Sequence, residues 1–218
     1  MDRSTRQQIA LRYQSPLQRG YVRGKLATDP VYAATAALIV DSELPLLDIG
    51  CGMGLLGHYL NAVGYTQPYL GLDHDQRKIA AGQAAAKRAG LSAVMQLQCA
   101  DVAELPPLQG HVTLLDVLHY LPAQRQVELL AAATGHLALQ GRLIIRNVLR
   151  ERNWRFHATR VEEFFLRASG WIPGGAQHYP DAESLRATLE SQGLDVHIQS
   201  LRGRTPFNSY LIVACRRE

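Results

Sequence analysis

Short apolar runs alternate with amphipathic segments along most of the chain. Residues 44–49 and 69–73 form two such runs, and each is followed by a segment whose apolar residues recur at helical spacing. Further runs lie at 94–98 and begin at 112 and 142, and the last of these is apolar without alternation, as in a strand buried on both faces. Repeated strand and helix units of this kind predict an α/β fold with a parallel sheet between helix layers.

Both ends of the chain depart from this pattern. Residues 195–201 and 208–215 predict two strands with no helix between them, and such a pair must be antiparallel. Residues 1–30 predict a helix, a break and a connecting segment, which would form an N-terminal arm or cap. A helix then begins sharply at Asp29-Pro30. We therefore expect residues 31–218 to form a mostly parallel seven-stranded sheet that ends in an antiparallel hairpin, with helices on both faces.

An unusual segment separates the fifth predicted strand from the helix predicted at 181–192. Residues 149–179 are rich in arginine and aromatic side chains, and Val161, Phe164 and Phe165 are spaced as one helical face. A segment of this length between two elements is uncommon unless it serves a function. We interpret it as an inserted cap over a substrate site, and an insertion packed on the sheet edge is the alternative.

Composition narrows the class of protein. The chain has 218 residues, 47% of them hydrophobic and 19% charged, which is typical of a globular domain with an appendage. Its three scattered cysteines have no zinc or redox spacing, so no metal site is predicted.

We find no signal sequence and no run long enough to span a membrane, and these findings predict a cytoplasmic protein. The net charge of +4 and the arginines clustered before residue 26 and over residues 142–167 keep RNA open as a partner.

The most informative stretch is residues 46–57, which read LLDIGCGMGLLG. An apolar run that breaks into closely spaced glycines predicts a strand, a tight turn and the start of a helix. Glycine allows positive φ and close approach of a ligand, and the helix start offers free N–H groups. Gly52, Gly54 and Gly57 also fit the dinucleotide-binding spacing, with Asp73 about twenty residues further on. The turn is therefore predicted to bind a nucleotide.

Asp48 favours one kind of nucleotide over another. It lies at the end of the predicted strand, two residues before Gly50, where a carboxylate would repel a pyrophosphate at close range. The same carboxylate would attract an ammonium or sulfonium group. Because the carboxyl ends of adjacent parallel strands open on one crevice, Asp73 should project beside the glycine turn and could accept hydrogen bonds from ribose hydroxyls. A cap for the helix that begins at Gln76 is the alternative role of Asp73.

Residues 47–54 resemble the first motif of the class I S-adenosylmethionine-dependent methyltransferases, in which an acid precedes a glycine-rich turn. The resemblance implies a Rossmann-like fold, S-adenosylmethionine as cofactor and S-adenosylhomocysteine as product. It implies that the cofactor is held by three groups of residues: the turn, the acids after the next two strands, and the end of strand four. These residues are Asp48, Gly50, Cys51, Gly52, Gly54, Asp73, His74, Asp101, Val102 and Asp116.

The acceptor is predicted to be small, and aromatic or linked to a carrier, with methylation at oxygen or carbon. A general base would help such a reaction, and histidine titrates closest to neutral pH, so the candidates are His157, His178 and His119. His119 is alternatively a wall of the cofactor pocket. Residues 25–32 and 154–157 resemble methyltransferases of bacterial aryl-polyene pathways, which implies an aromatic acceptor on an acyl carrier protein.

Two other functions stay open. RNA methylation is favoured by the basic N-terminal arm, although residues 116–122 lack the Asp/Asn-Pro-Pro-aromatic tetrapeptide of amino-nitrogen nucleic-acid methyltransferases. A protein that binds S-adenosylmethionine without transferring its methyl group is the other alternative. The sequence does not indicate an oligomeric state.

Overall fold

A computed structural model describes residues 1–101, 105–151, 175–201 and 208–217. Seven strands follow one another in these ranges: β1 Leu46–Ile49, β2 Tyr69–Asp73, β3 Met95–Cys99, β4 His111–Leu115, β5 Leu143–Val148, β6 Leu194–Ser200 and β7 Ser209–Arg216. The described helices are α1 Arg3–Leu11, α2 Pro16–Thr28, α3 Val31–Ile39, α4 Leu55–Ala62, α5 Gln76–Arg88, α6 Ala123–Gly135 and α7 Ala182–Glu190, with a single 3₁₀ turn at Leu118–Tyr120.

The strands form one sheet in the order β3-β2-β1-β4-β5-β7-β6. Strands β1 to β5 are parallel to one another, and β7 is antiparallel to both β5 and β6. The predicted fold is therefore confirmed, including the antiparallel hairpin at the end. Since β1 lies between β2 and β4, the carboxyl ends of these three strands lie side by side, and the order reverses between β1 and β4. Ligands of open α/β sheets bind at such a reversal.

Two hydrophobic clusters cover the two faces of the sheet. One face packs Leu46, Tyr69 and Ile144 against helices α1 to α5, and the other packs Leu47, Leu70 and Leu143 against α6 and α7. Alternate residues of a strand point to opposite faces. Asp48 and Arg146 therefore lie on the face that carries α1 to α5, whereas Asn147 lies on the face of α6 and α7.

The N-terminal segment is more regular than predicted, because it forms two helices rather than one. Ser15 and Gln18 form a reciprocal capping box that starts α2, with Pro16 in its first turn. Ile9, Tyr13 and Val22 are fully buried in the first cluster.

The division into an arm at 1–30 and a domain at 31–218 stays a prediction. So does the substrate cap, since most of 149–179 lies outside the described residues. None of the described helices has the length and apolarity that crossing a bilayer requires.

Candidate functional site

The glycine turn joins β1 to α4 and takes left-handed backbone conformations at three glycines. Their φ angles are 78° at Gly50, 58° at Gly52 and 72° at Gly54. A Cβ atom added to Gly50 would lie 2.4 Å from a methyl carbon of Val117, so the loop after β4 packs directly on the turn. A Cβ on Gly52 would meet nothing within 4 Å. Gly52 therefore borders open space, as a backbone that a ligand approaches must.

Asp73 holds the turn from the neighbouring strand. Its Oδ2 accepts a hydrogen bond from the N–H of Gly52 at 2.8 Å, and its Oδ1 accepts one from the N–H of Asp75 at 2.9 Å. Helix α5 is capped by Asp75, whose side chain accepts from the N–H of Arg77. The alternative role of Asp73 as that cap therefore falls to Asp75. The predicted placement of Asp73 beside the glycine turn agrees with this geometry.

Asp48 lies beneath the turn and is 2% exposed. Tyr69 of β2 and Thr113 of β4 each donate a hydroxyl hydrogen bond to it, at 2.5 Å and 2.7 Å. Burial raises the pKa of Asp48 to about 6, against the two hydrogen bonds, which lower it. We did not predict these partners from the sequence. Thr113 pairs with Asp48 in the sheet, and Tyr69 lies two residues before Gly71, the residue of β2 that pairs with Asp48, so all three side chains lie on one face.

The link between α1 and α2 also contacts the glycine turn and α4, which sequence reasoning missed. The hydroxyl of Tyr13 donates to the backbone carbonyl of Met53 at 3.1 Å. The guanidinium of Arg12 lies 3.0 Å from Nδ1 of His58, which is fully buried in α4. Burial and the neighbouring arginine lower the pKa of His58 to about 3. Since arginine only donates, the neutral imidazole accepts at Nδ1.

The other predicted cofactor residues lie around the same edge of the sheet. Cys51 follows Gly50 in the turn, and its N–H donates to the carbonyl of Leu72 at 2.9 Å. His74 is largely exposed, with Nδ1 3.6 Å from a carboxylate oxygen of Asp73. Asp101 is exposed and follows β3. Val102 lies outside the described residues. All of these contacts to a cofactor stay predictions.

Asp116 belongs to a cluster of four charged residues, Lys25, Asp29, Asp116 and Arg146, which we call the charge ring. Arg146 pairs with Asp116 and, at 3.4 Å, with Asp29. Lys25 lies 3.0 Å from Asp29 and 4.0 Å from Asp116. Asp116 has a φ of 62°, the one positive value among the described residues other than glycine. The ring thus joins the end of α2 to the carboxyl ends of β4 and β5.

His119 has a defined environment on the other face of the sheet. Its Nδ1 lies 2.8 Å from Oδ1 of Asn147, and its backbone N–H donates to the same oxygen at 3.4 Å. The amide N–H of Asn147 donates to the carbonyl of Val148 at 2.8 Å. If the side-chain amide were flipped, its NH₂ group would face the backbone N–H of His119, and two donors would meet. The ring of His119 is 4.1 Å from that of Tyr120 and stacks on that of Tyr179 at 6.0 Å.

The structure brings two of the three predicted bases together. The carbonyl of His119 accepts hydrogen bonds from the N–H groups of Gln177 and His178, at 2.8 Å and 3.3 Å. Gln126 of α6 lies within hydrogen-bond distance of the carbonyls of His178 and Leu118, at 2.8 Å each. The segment around 178 is thereby fixed to the loop after β4. His157 lies outside the described residues, and the role of each histidine as a base stays a prediction.

Solved structures with the same fold are numerous. One is the magnesium protoporphyrin IX methyltransferase of Synechocystis PCC 6803 with bound S-adenosylhomocysteine, which has a TM-score of 0.69 and 18% identity over 98% of this chain and 93% of its own. Residues 46–141 also match a family model described as a methyltransferase domain. Residues 46–141 are therefore similar to methyltransferase domains, and the chain has the fold of class I methyltransferases. The match covers the glycine turn, Asp73, Asp116 and His119, so the resemblance inferred from residues 47–54 is confirmed.

Two further similar proteins have named ligands or pathways. An O-methyltransferase of neocarzinostatin biosynthesis, solved with S-adenosylhomocysteine and 1,4-dihydroxy-2-naphthoic acid, has a TM-score of 0.66 and 18% identity over 90% of this chain and 55% of its own. The ubiquinone biosynthesis O-methyltransferase of Bradyrhizobium diazoefficiens is 27% identical over 169 residues, which make up 76% of this chain. The chain covers 62% of the length of that curated relative.

Proposed function

We propose that this protein transfers the methyl group of S-adenosylmethionine to an oxygen atom of a small aromatic acceptor. The observation that carries the proposal is the open backbone at Gly52, which Asp73 holds from the neighbouring strand β2 and which the loop after β4 flanks. Side chains that could donate a proton or accept one stand close by, at the carboxyl ends of β4 and β5.

The residues present fit such a cofactor. Each carboxylate oxygen of Asp73 accepts one backbone N–H and retains a second lone pair, which a ribose hydroxyl could use. Asp48, with a pKa of about 6, is mostly ionised at neutral pH and places a negative charge beneath the turn. That charge favours a sulfonium over a phosphate. When bound, the cofactor supplies an electrophilic methyl group, and the protein mainly has to orient the acceptor for in-line attack.

His119 is the candidate base with the best geometric support. Asn147 offers its carbonyl oxygen to the imidazole, so Nδ1 must be the protonated nitrogen of neutral His119. The lone pair is then on Nε2, which is the form that accepts a proton from a phenol. The N–H of His178 donates to the carbonyl of His119, so the segment that carries the second described candidate base is held against this group.

An aromatic oxygen as the acceptor is supported by the names of the relatives. Two of them are O-methyltransferases, and one was solved with a dihydroxynaphthoic acid. A carrier-linked acceptor stays part of the proposal on the resemblance of residues 25–32 to aryl-polyene enzymes. The RNA alternative is weakened by the engaged cations of the arm: Arg12 bonds His58, Arg19 bonds a backbone carbonyl, and Lys25 pairs with Asp29.

Calorimetry on the full chain tests the cofactor. We expect S-adenosylhomocysteine to bind the wild type, NAD not to bind, and Asp73→Ala to weaken binding by at least about tenfold, because charged hydrogen bonds are worth ~1.5–3 kcal/mol. The matched control is Asp195→Ala, which removes an exposed carboxylate of β6 that pairs with Arg217. Binding of NAD alone would contradict the proposal.

Transfer needs a separate measurement, because binding alone would also suit a protein without methyltransferase activity. A panel of phenols and hydroxylated aromatic acids, assayed for methylated product, should include at least one acceptor. Methylation of RNA and of no phenol would favour the RNA alternative instead. In that case RNA binding should fall steeply with salt concentration.

A further inference from the structure

Helices α1 and α2 meet at a corner that presents leucine to solvent. Helix α1 ends at Leu11 and α2 begins at Pro16, and the two leucines on either side of the link, Leu11 and Leu17, are 52% and 68% exposed. Both helices bury their other faces in the first hydrophobic cluster, through Ile9 and Val22. The two leucines therefore protrude from helices that are packed on the core.

Three cations lie at the same corner. Nε of Arg19 donates to the carbonyl of Tyr13 at 2.9 Å, so this side chain lies over the link between the helices. Arg88, in the last turn of α5, donates to the carbonyl of Arg12, and Lys87 precedes it in that turn. Arg19, Lys87 and Arg88 are exposed, and a backbone carbonyl has no net charge, so these contacts leave the positive charges in place. The basic corner consists of Leu11, Leu17, Arg19, Lys87 and Arg88.

The segments that meet at the basic corner carry no acidic residue. Residues 3–28, with α1 and α2, hold six lysines and arginines, and residues 76–100, with α5, hold four. Residues 49–72, with the glycine turn and α4, hold no lysine or arginine. These three ranges contain none of the 19 aspartates and glutamates of the chain. The positive potential at the corner is therefore spread over a broad surface.

Charge and apolarity together select the partner. Nucleic acid would bind such a surface through its phosphates and would stack its bases on aromatic rings. The exposed apolar side chains of the corner are aliphatic, however, and Tyr13 is fully buried. Leucine gains free energy by transfer into hydrocarbon, and lysine and arginine attract anionic head groups. An anionic bilayer offers both kinds of group over an extended surface.

An acidic carrier protein fits the corner less well. The corner belongs to helices on one face of the sheet, whereas the proposed base His119 bonds Asn147 on the other face. A carrier docked at the corner would hold its acceptor on the wrong side of the sheet. A bilayer has no such restriction, because it does not have to deliver one tethered group.

We propose that the basic corner docks this protein on anionic lipid bilayers, with its two leucines among the acyl chains and its three cations on lipid phosphates. The inference goes beyond the proposed function and does not depend on it, because the corner lies outside the groups assigned to cofactor and acceptor. Insertion is shallow, since the opposite faces of both helices are buried in the protein. Tyr13 connects the corner to the glycine turn through the carbonyl of Met53, so a docked bilayer lies near the crevice.

Vesicle sedimentation with the full chain tests the docking. One set of vesicles contains equal parts of phosphatidylglycerol and phosphatidylcholine, and the other contains phosphatidylcholine alone. We expect the wild type to bind the anionic vesicles at least about tenfold more tightly, and added salt to weaken this binding. Leu17→Ser should weaken it about tenfold, because an inserted leucine is lost. Lys87→Gln should weaken it about fivefold.

Leu139→Ser and Arg125→Gln are the matched controls. Leu139 is 81% exposed in the link after α6, and Arg125 is an exposed cation of α6 that pairs with Glu128. Both should leave vesicle binding unchanged. Urea denaturation should give similar stabilities for all four variants, since each replaced side chain is exposed.

Three results would overturn the proposal. The first is equal binding of the wild type to both kinds of vesicle, or binding to neither. The second is a loss in Leu139→Ser as large as the loss in Leu17→Ser. The third is an unchanged affinity in Leu17→Ser, because the cations alone would then account for binding, as they would for RNA or an acidic protein.

Discussion

The two sides of the site are built in different ways. The cofactor side consists of backbone: three glycines with positive φ, and N–H groups held by Asp73. The side that we propose for the acceptor consists of side chains from separate segments, with His119, Asn147 and Tyr179 gathered by hydrogen bonds and stacking. Backbone geometry tolerates few substitutions and leaves a local signature in the sequence. Side-chain assemblies can vary without disturbing the fold, so the acceptor side is where specificity can change while cofactor binding stays constant.

The largest expected effect distinguishes two glycines of the same turn. Gly52→Ala should destabilise the folded state by about 1 kcal/mol, which is the cost of holding an alanine in the left-handed conformation. No steric cost is added, because the new Cβ would meet nothing within 4 Å. Its affinity for S-adenosylhomocysteine should nevertheless fall roughly a hundredfold, since the methyl group occupies space that the proposed ligand needs. Calorimetry and urea denaturation together measure the two effects.

Gly50→Ala provides the contrast. Its Cβ would lie 2.4 Å from Val117, so stability should fall well beyond the cost of backbone strain, and Val117→Ala should restore part of it. A Gly52→Ala variant that binds as tightly as the wild type would show that the cofactor does not lie over this part of the turn.

A smaller effect is expected from the buried acid of the cofactor side. The pKa of Asp48 rises from 3.8 to about 6 on folding, so the folded state retains a proton that the unfolded state loses between these values. The stability contributed by Asp48 is therefore present below pH 4 and lost as the pH rises through 6. Asp48→Asn removes this titration, and its stability relative to the wild type should increase by about 2–3 kcal/mol between pH 4 and pH 7.

Urea denaturation of both proteins at several pH values measures that difference. Thr113→Val serves as a control, because it removes one hydrogen-bond donor without removing the titrating group. A difference that stays constant with pH would mean that Asp48 has an ordinary pKa. The turn would then stand over a group that is always charged.

The smallest effect is expected on the acceptor side. Asn147→Asp should raise the pKa of His119 through the added negative charge, so the acidic limb of kcat/KM should move to higher pH. Asn147→Leu should lower kcat about tenfold, because the imidazole loses its orientation and tautomer. Nitrogen NMR shifts of His119 report the tautomer directly and do not depend on activity. Protonation at Nε2 in the neutral wild type would contradict the assigned geometry.

These differences explain what could be predicted from the sequence. The fold and the glycine turn were predictable, because the apolar runs and the spacing of Gly50, Gly52 and Gly54 are local signals. The partners of Asp48 and the charge ring were not, since they depend on which strands become neighbours and on the register of Tyr69 and Thr113. The contact of Asn147 with His119 also needed the structure, because the two residues lie 28 positions apart in the sequence.

The contacts of Tyr13 and Lys25 also have a consequence for how the chain folds. Helices α1 and α2 are synthesised before the strands that they contact, and their partners come much later in the chain: Met53 follows Tyr13 by 40 residues, and Asp116 and Arg146 come later still. Contacts across such separations form late, after the chain entropy of closing the loop has been overcome. We expect α1 and α2 to dock last, so the crevice beside the glycine turn is completed only when nearly the whole sheet has assembled.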